Sequence, residues 1–595
     1  MAITLPKVTF LGDVIDERLF GGNLVFTQDS VTGTFPARAD AAGLEVIRFP
    51  GGGVTERFFD PANPNAESDS YVNESGETVE LSLVPLDDFL DYAREAKLGA
   101  IIVVPVQRYL DAWKDEGSVR DTILTEADKT AIHAYVTTAL ESGVRIHAIE
   151  IGNAPSSSGV NDADYAKIVN EMVVAVHDAA EEFQTAGNLP DGYVHPLLSV
   201  ETTPYNVTAD TNGDGTATYE EALEQRFEQF TPEALERIDA VTMHRYVSGD
   251  YDKIDGFQAP WTLAEKADEL VGRDLELLVT EWNISANQNG VFNWDDATDE
   301  QRDSVDTGLK HAGAVAALFH ELAVNNVEMA AFWAVQQKND VSLAGREGTN
   351  TDLRPGGKMF DYLSENTQGL RAIGSIPKKA LDRAIREEDF DLHAFGNDER
   401  QFLVINSRHD EAQQVELDLT TFSGTVEGGW VEIMTAAEGQ DPRDPNVDTE
   451  IVDKSLAEVF NDNDGVLSLS LDPWEVALVS LDLAPTEEGE GTGQPGDEDD
   501  ANVVDEDEDE AEGGGGGGCF VATCAYGDAD HPDVAYLRHY RDVVLAETSP
   551  GRGFIRLYYS LGPYLARWMA PYPKLRQLAR AGLSRLVRHL RARHR

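Results

Sequence analysis

A chain of 595 residues is too long for one ordinary core, and its 41% hydrophobic content is enough to build the roughly two to four domains such a length implies. The formal net charge of −61 excludes nucleic acid as a partner, because most of this surface would repel a phosphate backbone. Such acidity suits a protein that stays soluble in salt water or binds divalent cations.

The opening MAITLPKVTFLGDVIDERLF has neither the basic start nor the long apolar core of a secretory signal. Retention in the cell, export by a route that reads another address, and a misassigned start all fit. From about residue 22 to 337, short β-rich apolar runs alternate with helical patterns. The runs are Asn23–Thr27, Glu45–Phe49, Ala100–Val106, Ile146–Ile151, Pro196–Val200, Ala240–Met243, Glu276–Val279 and Glu328–Val335. Between them lie amphipathic stretches such as Leu86–Ala96, Glu126–Ser142, Asp164–Phe183 and Ser304–Ala323. Buried parallel strands with crossover helices give this rhythm, and eight units close into an α/β (β/α)8 TIM barrel over residues 1–377; a doubly wound open sheet is the alternative. Polar residues cluster just after several strands, where barrel active sites form, and favour the barrel.

After a linking helix near Lys378–Glu387 the pattern becomes alternation: FDLHAF, QFLVINS, QQVELDL, WVEIMTA, GVLSLSL and WEVALVSL. Turn residues separate these runs, so residues 378–484 read as a C-terminal antiparallel β-sandwich, to which Lys7–Leu11 can add a strand. Residues 485–518 are acidic, Gly-rich and almost free of large apolar side chains, which predicts an extended, disordered linker. Residues 519–595 reverse the sign of the charge and form a separate basic module, a small α-helical tail. The two cysteines, Cys519 and Cys524, both lie there, so everything before them folds without a disulfide. No segment reaches the roughly 20 apolar residues of a spanning helix.

Four strand ends carry the chemistry: EVIRFPGGG after the second strand, IHAIEIGNAP after the fourth, VTMHRY after the sixth and LLVTEWN after the seventh. Retaining glycoside hydrolysis needs one carboxylate to attack the anomeric carbon. It needs a second carboxyl, about 5 Å away, to protonate the leaving oxygen. The mouths of the fourth and seventh barrel strands can present groups at that separation. These motifs, with LFGGNLVF, RFPGGGVTERFFDP and LVPLDDFLDYA, resemble clan A glycoside hydrolases, especially the β-xylosidase, arabinofuranosidase and heparanase-like members. The first half also looks like barrels of large secreted calcium-binding repeat proteins. The resemblance covers roughly residues 8 to 484.

What the resemblance implies is position-specific. Glu281 matches the nucleophile, with a rim salt bridge as the bland alternative. Arg48 and Tyr246 match groups that hydrogen-bond the nucleophile and keep it ionised. Asn153 matches the asparagine that grips a sugar hydroxyl, and His244 a substrate-facing histidine; a packed histidine is the alternative. Trp333 would offer a flat face for a sugar ring, unless it is core packing. The match fails at the fourth strand. The family pattern there is Gly-Asn-Glu, and this chain reads Gly152-Asn153-Ala154. Alanine donates no proton, and losing the general acid typically costs about 10²–10⁴-fold. Glu150, about 13 Å below the tip at 3.3 Å per residue, reads as a buried structural carboxylate. Three outcomes stay open: a replacement acid from Asp162, Asp164 or Glu201, action on substrates whose leaving group needs no protonation, or glycan binding without catalysis.

Asp210-Thr-Asn212-Gly-Asp214-Gly-Thr216-Ala-Thr218-Tyr-Glu-Glu221 fits the EF-hand pattern at every constrained place. Side-chain oxygens of Asp210, Asn212 and Asp214 converge, Thr216 offers its carbonyl, and Glu221 closes the shell with two oxygens. The expectation is one structural Ca2+; an acidic solvated turn is the alternative. The stretch CFVATCAYGDADHPDVAYLRHYRDVVLAETSPGRGFIRLYYSLGPYLA resembles the CFI-box module at the ends of many bacterial surface or exported proteins. That resemblance implies an extracellular or cell-surface location, with a cytoplasmic one as the alternative. The arginine-rich end suits contact with an anionic membrane surface, and folding back on the acidic body competes with it. The expected partner is a poly- or oligosaccharide; the oligomeric state is not legible.

Overall fold

The computed structural model describes residues 2–484 apart from 74, 188, 191–192, 206, 208–216, 249–258, 286–293, 304, 338, 346–351, 376–380, 382–384, 386–389 and 462. The linking helix near 378–387, for the most part, the acidic linker and the basic tail lie outside the described residues, as do Asp210, Asn212, Asp214 and Thr216. Residues 1–271 and 275–485 form one compact unit; the second unit, 272–274 with 486–595, is described only at its first three residues.

Eight parallel strands close into a barrel. They are β1 (Gly21–Asn23), β2 (Val46–Phe49), β3 (Gly99–Val104), β4 (Ile146–Ile151), β5 (Leu197–Glu201), β6 (Ala240–Ser248), β7 (Glu276–Ser285) and β8 (Val327–Phe332). Each strand pairs with its chain neighbours, and β8 pairs with β1 to complete the ring. Closure, rather than an open sheet, is therefore the architecture. Strands such as β3 and β4 are buried along their whole length, the pattern expected of strands with helices on one face and a filled interior on the other. Helix Leu86–Ala96 turns its buried Leu86, Phe89, Leu90 and Ala93 inward at helical spacing and ends at Lys97 in a left-handed conformation. Helix Glu126–Glu141 starts on a capping box in which Thr125 and Asp128 satisfy each other's backbone N–H groups.

The first strand differs from expectation. Asn23–Thr27 has the stronger β-propensity, yet the paired residues are Gly21–Asn23. The cause is close approach: a Cβ on Gly21 would stand 2.3 Å from the carbonyl oxygen of Ala330 on β8, so only glycine lets the ring close there. Leu24, Val25 and Phe26 are buried just beyond the strand, where they pack as core.

The second half is a sandwich of two sheets. One has seven antiparallel strands in the order Val8–Leu11, Arg371–Ser375, Phe390–Gly396, Arg400–Ser407, Val476–Leu483, Val426–Ala436, Thr449–Lys454. The other places Ile3–Thr4 beside Gln413–Asp418, followed by Val466–Leu471 and Phe460–Asn461. Strict alternation divides the middle strands between two cores. Leu403 and Ile405 join Val415 and Leu467 between the sheets, while Phe402 and Val404 join the core shared with the barrel.

The seven-stranded sheet is thus covered on both faces. Phe395 lies against Phe319 of the barrel helix Leu309–Val324, with ring centroids 5.7 Å apart. The strand Val8–Leu11, anticipated from Lys7–Leu11, pairs with Arg371–Ser375, and so this sheet draws strands from outside residues 378–484. Among the described residues, no helix is long and apolar enough to cross a membrane.

Candidate active site

Arg48, at the end of β2, organises the barrel mouth. Its guanidinium is fully buried and donates to both oxygens of Glu150 on β4, at 2.7 and 2.8 Å. It also donates to Glu281 Oε1 on β7 at 3.1 Å, to Asn153 Oδ1 at 2.7 Å and to Asn23 Oδ1 at 3.0 Å. Tyr246 on β6 donates its hydroxyl to Glu281 Oε2 at 2.8 Å, and His244 Nδ1 stands 3.3 Å from the same oxygen. Arg48, Asn153, Tyr246, His244 and Glu281 therefore meet in one group.

A register shift makes this possible. Met243 pairs with Val279, but the next residue, His244, pairs with Glu281. The extra residue in β7 is Thr280, and a bulge of this kind turns two consecutive side chains toward one region. Thr280 Oγ1 reaches Glu150 at 3.3 Å while Glu281 reaches Arg48 and Tyr246.

The electrostatics follow from burial. Burial pushes the Glu281 carboxyl above the usual carboxylate range, although Arg48 and Tyr246 pull against it. Burial also disfavours the charge on Arg48, but Glu150 and Glu281 outweigh it and the net direction is up. The Tyr246 phenol rises well above its ordinary value, through burial and then through Glu281. His244 falls, first through burial, so its neutral form is favoured. Its Nε2 is buried without a hydrogen-bond partner.

Three contributors were not singled out by the sequence pattern. Asn23 donates to the carbonyls of Thr280, Ala331 and Phe332, which ties β1 to β7 and β8 beneath Glu281. Glu56, in helix Val54–Phe58, accepts from the backbone N–H groups of Val106, Gln107 and Asn153. It joins the ends of β3 and β4, and burial raises its carboxyl despite those three donors. Thr280 is the third, through its contact with Glu150. The charged pair Glu56-Arg57 between Val54 and Phe58 is the local signal that could have marked Glu56.

Ala154 follows Asn153 in a left-handed conformation with φ of 42°, half-buried, and its carbonyl accepts from Ser157 N. Of the three carboxylates considered as replacement acids, Asp162 is held by Arg226 at 2.7 Å and Asp164 by Lys114 at 2.6 Å. Glu201, at the end of β5, is different. Its Oε1 accepts from Thr203 N, its Oε2 is buried without a hydrogen-bond partner, and it interacts electrostatically with His244.

No family model matches this chain, and no curated protein does. Solved structures do. A family 51 alpha-L-arabinofuranosidase from Bifidobacterium longum aligns with 16% identity over 80% of this chain and 99% of its own, with a TM-score of 0.49. A GH51 arabinofuranosidase from Xanthomonas axonopodis pv. citri gives 14% identity, 79% and 97% coverage and a TM-score of 0.48. An alpha-L-arabinofuranosidase from Thermotoga maritima, solved with arabinose, gives 13%, 81% and 100%, and 0.48. Strand order and closure, not these alignments, establish the barrel.

Trp333 follows β8, and its peptide bond to Ala334 is cis. The indole lies over Gly52, which has a φ of 83°; a Cβ there would stand 2.4 Å from the ring. Gly52→Ala should therefore destabilise the protein by about 1–3 kcal/mol, combining backbone strain with displacement of the indole. Thermal unfolding with near-ultraviolet circular dichroism measures both; an unchanged melting temperature and aromatic signal would contradict this packing.

Proposed function

We propose that the barrel mouth is a retaining glycosidase site for O-glycosyl bonds of poly- or oligosaccharides, with Glu281 as nucleophile and no proton donor at Ala154. The observation that carries this reading is the Glu281 carboxylate, fixed through one oxygen by Arg48 and through the other by Tyr246. Two directed hydrogen bonds orient a nucleophile toward an anomeric carbon and limit the motion it must make to attack. Asn153 commits its carbonyl oxygen to Arg48, which leaves the amide N–H groups for a sugar hydroxyl. Trp333 supplies the ring face for stacking, and His244 the neutral imidazole facing the substrate.

Without an acid at position 154 the glycosyl-enzyme forms only when the leaving group departs unaided. A dinitrophenyl glycoside is such a substrate, and azide is a nucleophile that needs no general base. Release of dinitrophenolate from that glycoside should accelerate with azide, which takes the glycosyl group from Glu281 in place of water and yields glycosyl azide of retained configuration. Glu281→Gln should abolish the reaction, by about 10³-fold or more. The burial that raises the Glu281 carboxyl should also place the acid limb of the pH profile above the ordinary carboxylate range. Ala154 favours a second reading, a glycan-binding or adhesive surface protein on the same barrel. Silence on a panel of activated glycosides, with oligosaccharide affinity retained in calorimetry, would decide for it.

The loop from Asp210 to Glu221 is proposed to hold one structural Ca2+. Among its ligands only Glu221 falls within the described residues. It lies in the first turn of helix Tyr219–Phe227, where its carboxylate accepts from the N–H of Thr218 in a capping box; the twelve-residue pattern puts the closing ligand at such a helix start. The ion would supply rigidity beside the cleft. A surface location and membrane contact through the basic tail are proposed on the resemblance of that tail alone.

A further inference from the structure

We propose that His177, Glu181 and His195 form a second metal site, for zinc or a similar transition ion, at the end of the barrel opposite Glu281. His177 and Glu181 stand one turn apart on helix Asp162–Ala186, and His195 lies in the connection that leads into β5. One nitrogen of each imidazole and one carboxylate oxygen all lie within 4.8 Å of one another. Donors on a tetrahedral zinc stand roughly 3.4 Å apart at ordinary bond lengths, so rotamer adjustments of about 1 Å bring these three onto one ion.

Unsatisfied polar atoms point the same way. His177 Nδ1, His195 Nδ1 and the Tyr193 hydroxyl are all buried without hydrogen-bond partners. Tyr193 also feels the charge of Glu181, which places its hydroxyl in the same neighbourhood. Buried orphans are costly, and three around one pair of imidazoles are what a missing ligand leaves behind. A cavity of 480 Å3 lined in part by His147, Pro190, Tyr193 and Val194 opens at this end and reaches Tyr193, although none of the three proposed ligands lines it.

Donor chemistry selects the metal. Two imidazoles and one carboxylate suit Zn2+, Ni2+ or Cu2+ far better than Ca2+ or Mg2+, which prefer oxygen. Three protein ligands leave the fourth position to water. The site pins the connection before β5 to the preceding helix at the stabilising face of the barrel, so the ion braces the fold and takes no part in catalysis.

The full, tag-free chain is stripped with chelator, returned to excess Ca2+ to fill oxygen-only sites, and titrated with zinc chloride. The expected result is one zinc per chain with a Kd of about 1 µM or tighter, and a higher melting temperature. His195→Ala and His177→Ala should each weaken this binding by about 100-fold, with circular dichroism unchanged, while His409→Ala leaves it intact. X-ray absorption should report two imidazole nitrogens around the ion. Zinc binding that survives unchanged in both variants, or no binding below about 100 µM, overturns the assignment.

Discussion

Ala154→Glu is expected to raise hydrolysis of unactivated oligosaccharides by about 10²–10⁴-fold, the usual worth of a positioned general acid. Position 154 can accept the change. The residue already carries a Cβ at φ of 42°, so glutamate adds side-chain atoms without a new backbone conflict. Its neighbour Asn153 is hydrogen-bonded to Arg48, which holds Glu281, so the new carboxyl would grow from the rim of the same group. The gain should be confined to poor leaving groups. Dinitrophenyl glycosides, which leave unaided, should show little change in the first step, and the azide effect should shrink because the new carboxylate activates water. Turnover that stays at zero in the variant, with glycan affinity intact, would favour the binding reading.

The second large effect concerns stability. Arg48→Met should destabilise the protein by about 3–5 kcal/mol near neutral pH, because it strands carboxylates that are already inside. Arg48 is fully buried, Glu150 is 1% exposed and Glu281 is 7% exposed, and one guanidinium serves both. The pH dependence has a defined sign. In the parent the Glu281 carboxyl is raised by burial, so its favourable contribution is complete below the unfolded value of about 4.3 and is lost as pH rises through the folded value. Removing Arg48 raises that folded value further. The deficit in the variant should therefore be greatest at alkaline pH and shrink as pH falls toward 5. Urea unfolding at pH 5 and pH 8 measures it, and an equal deficit at both would contradict this account.

Much of the barrel was legible because its signals are local. Helix Leu86–Ala96 and strand Ile146–Ile151 match the pattern to the residue, since periodicity and apolar runs are properties of neighbouring positions. β1 was displaced because its placement depends on the approach of Ala330, some three hundred positions away, which no local propensity encodes. Glu56, Asn23 and Thr280 escaped notice for the same reason. Each acts through partners on other strands, and alone each reads as an ordinary polar residue.

From the sequence alone came the alternation of strands and helices, the antiparallel pattern that follows it, and the residue types at four strand ends, including the alanine where an acid was expected. The tertiary structure decided the closure of the ring, the bulge that turns Thr280 and Glu281 to one side, and the convergence on Arg48. It also brought His177 and Glu181 beside His195. The physical reason is common to all of these. Periodicity is written into adjacent residues by backbone geometry, whereas a site is made by long-range burial, which forces distant polar groups to satisfy one another.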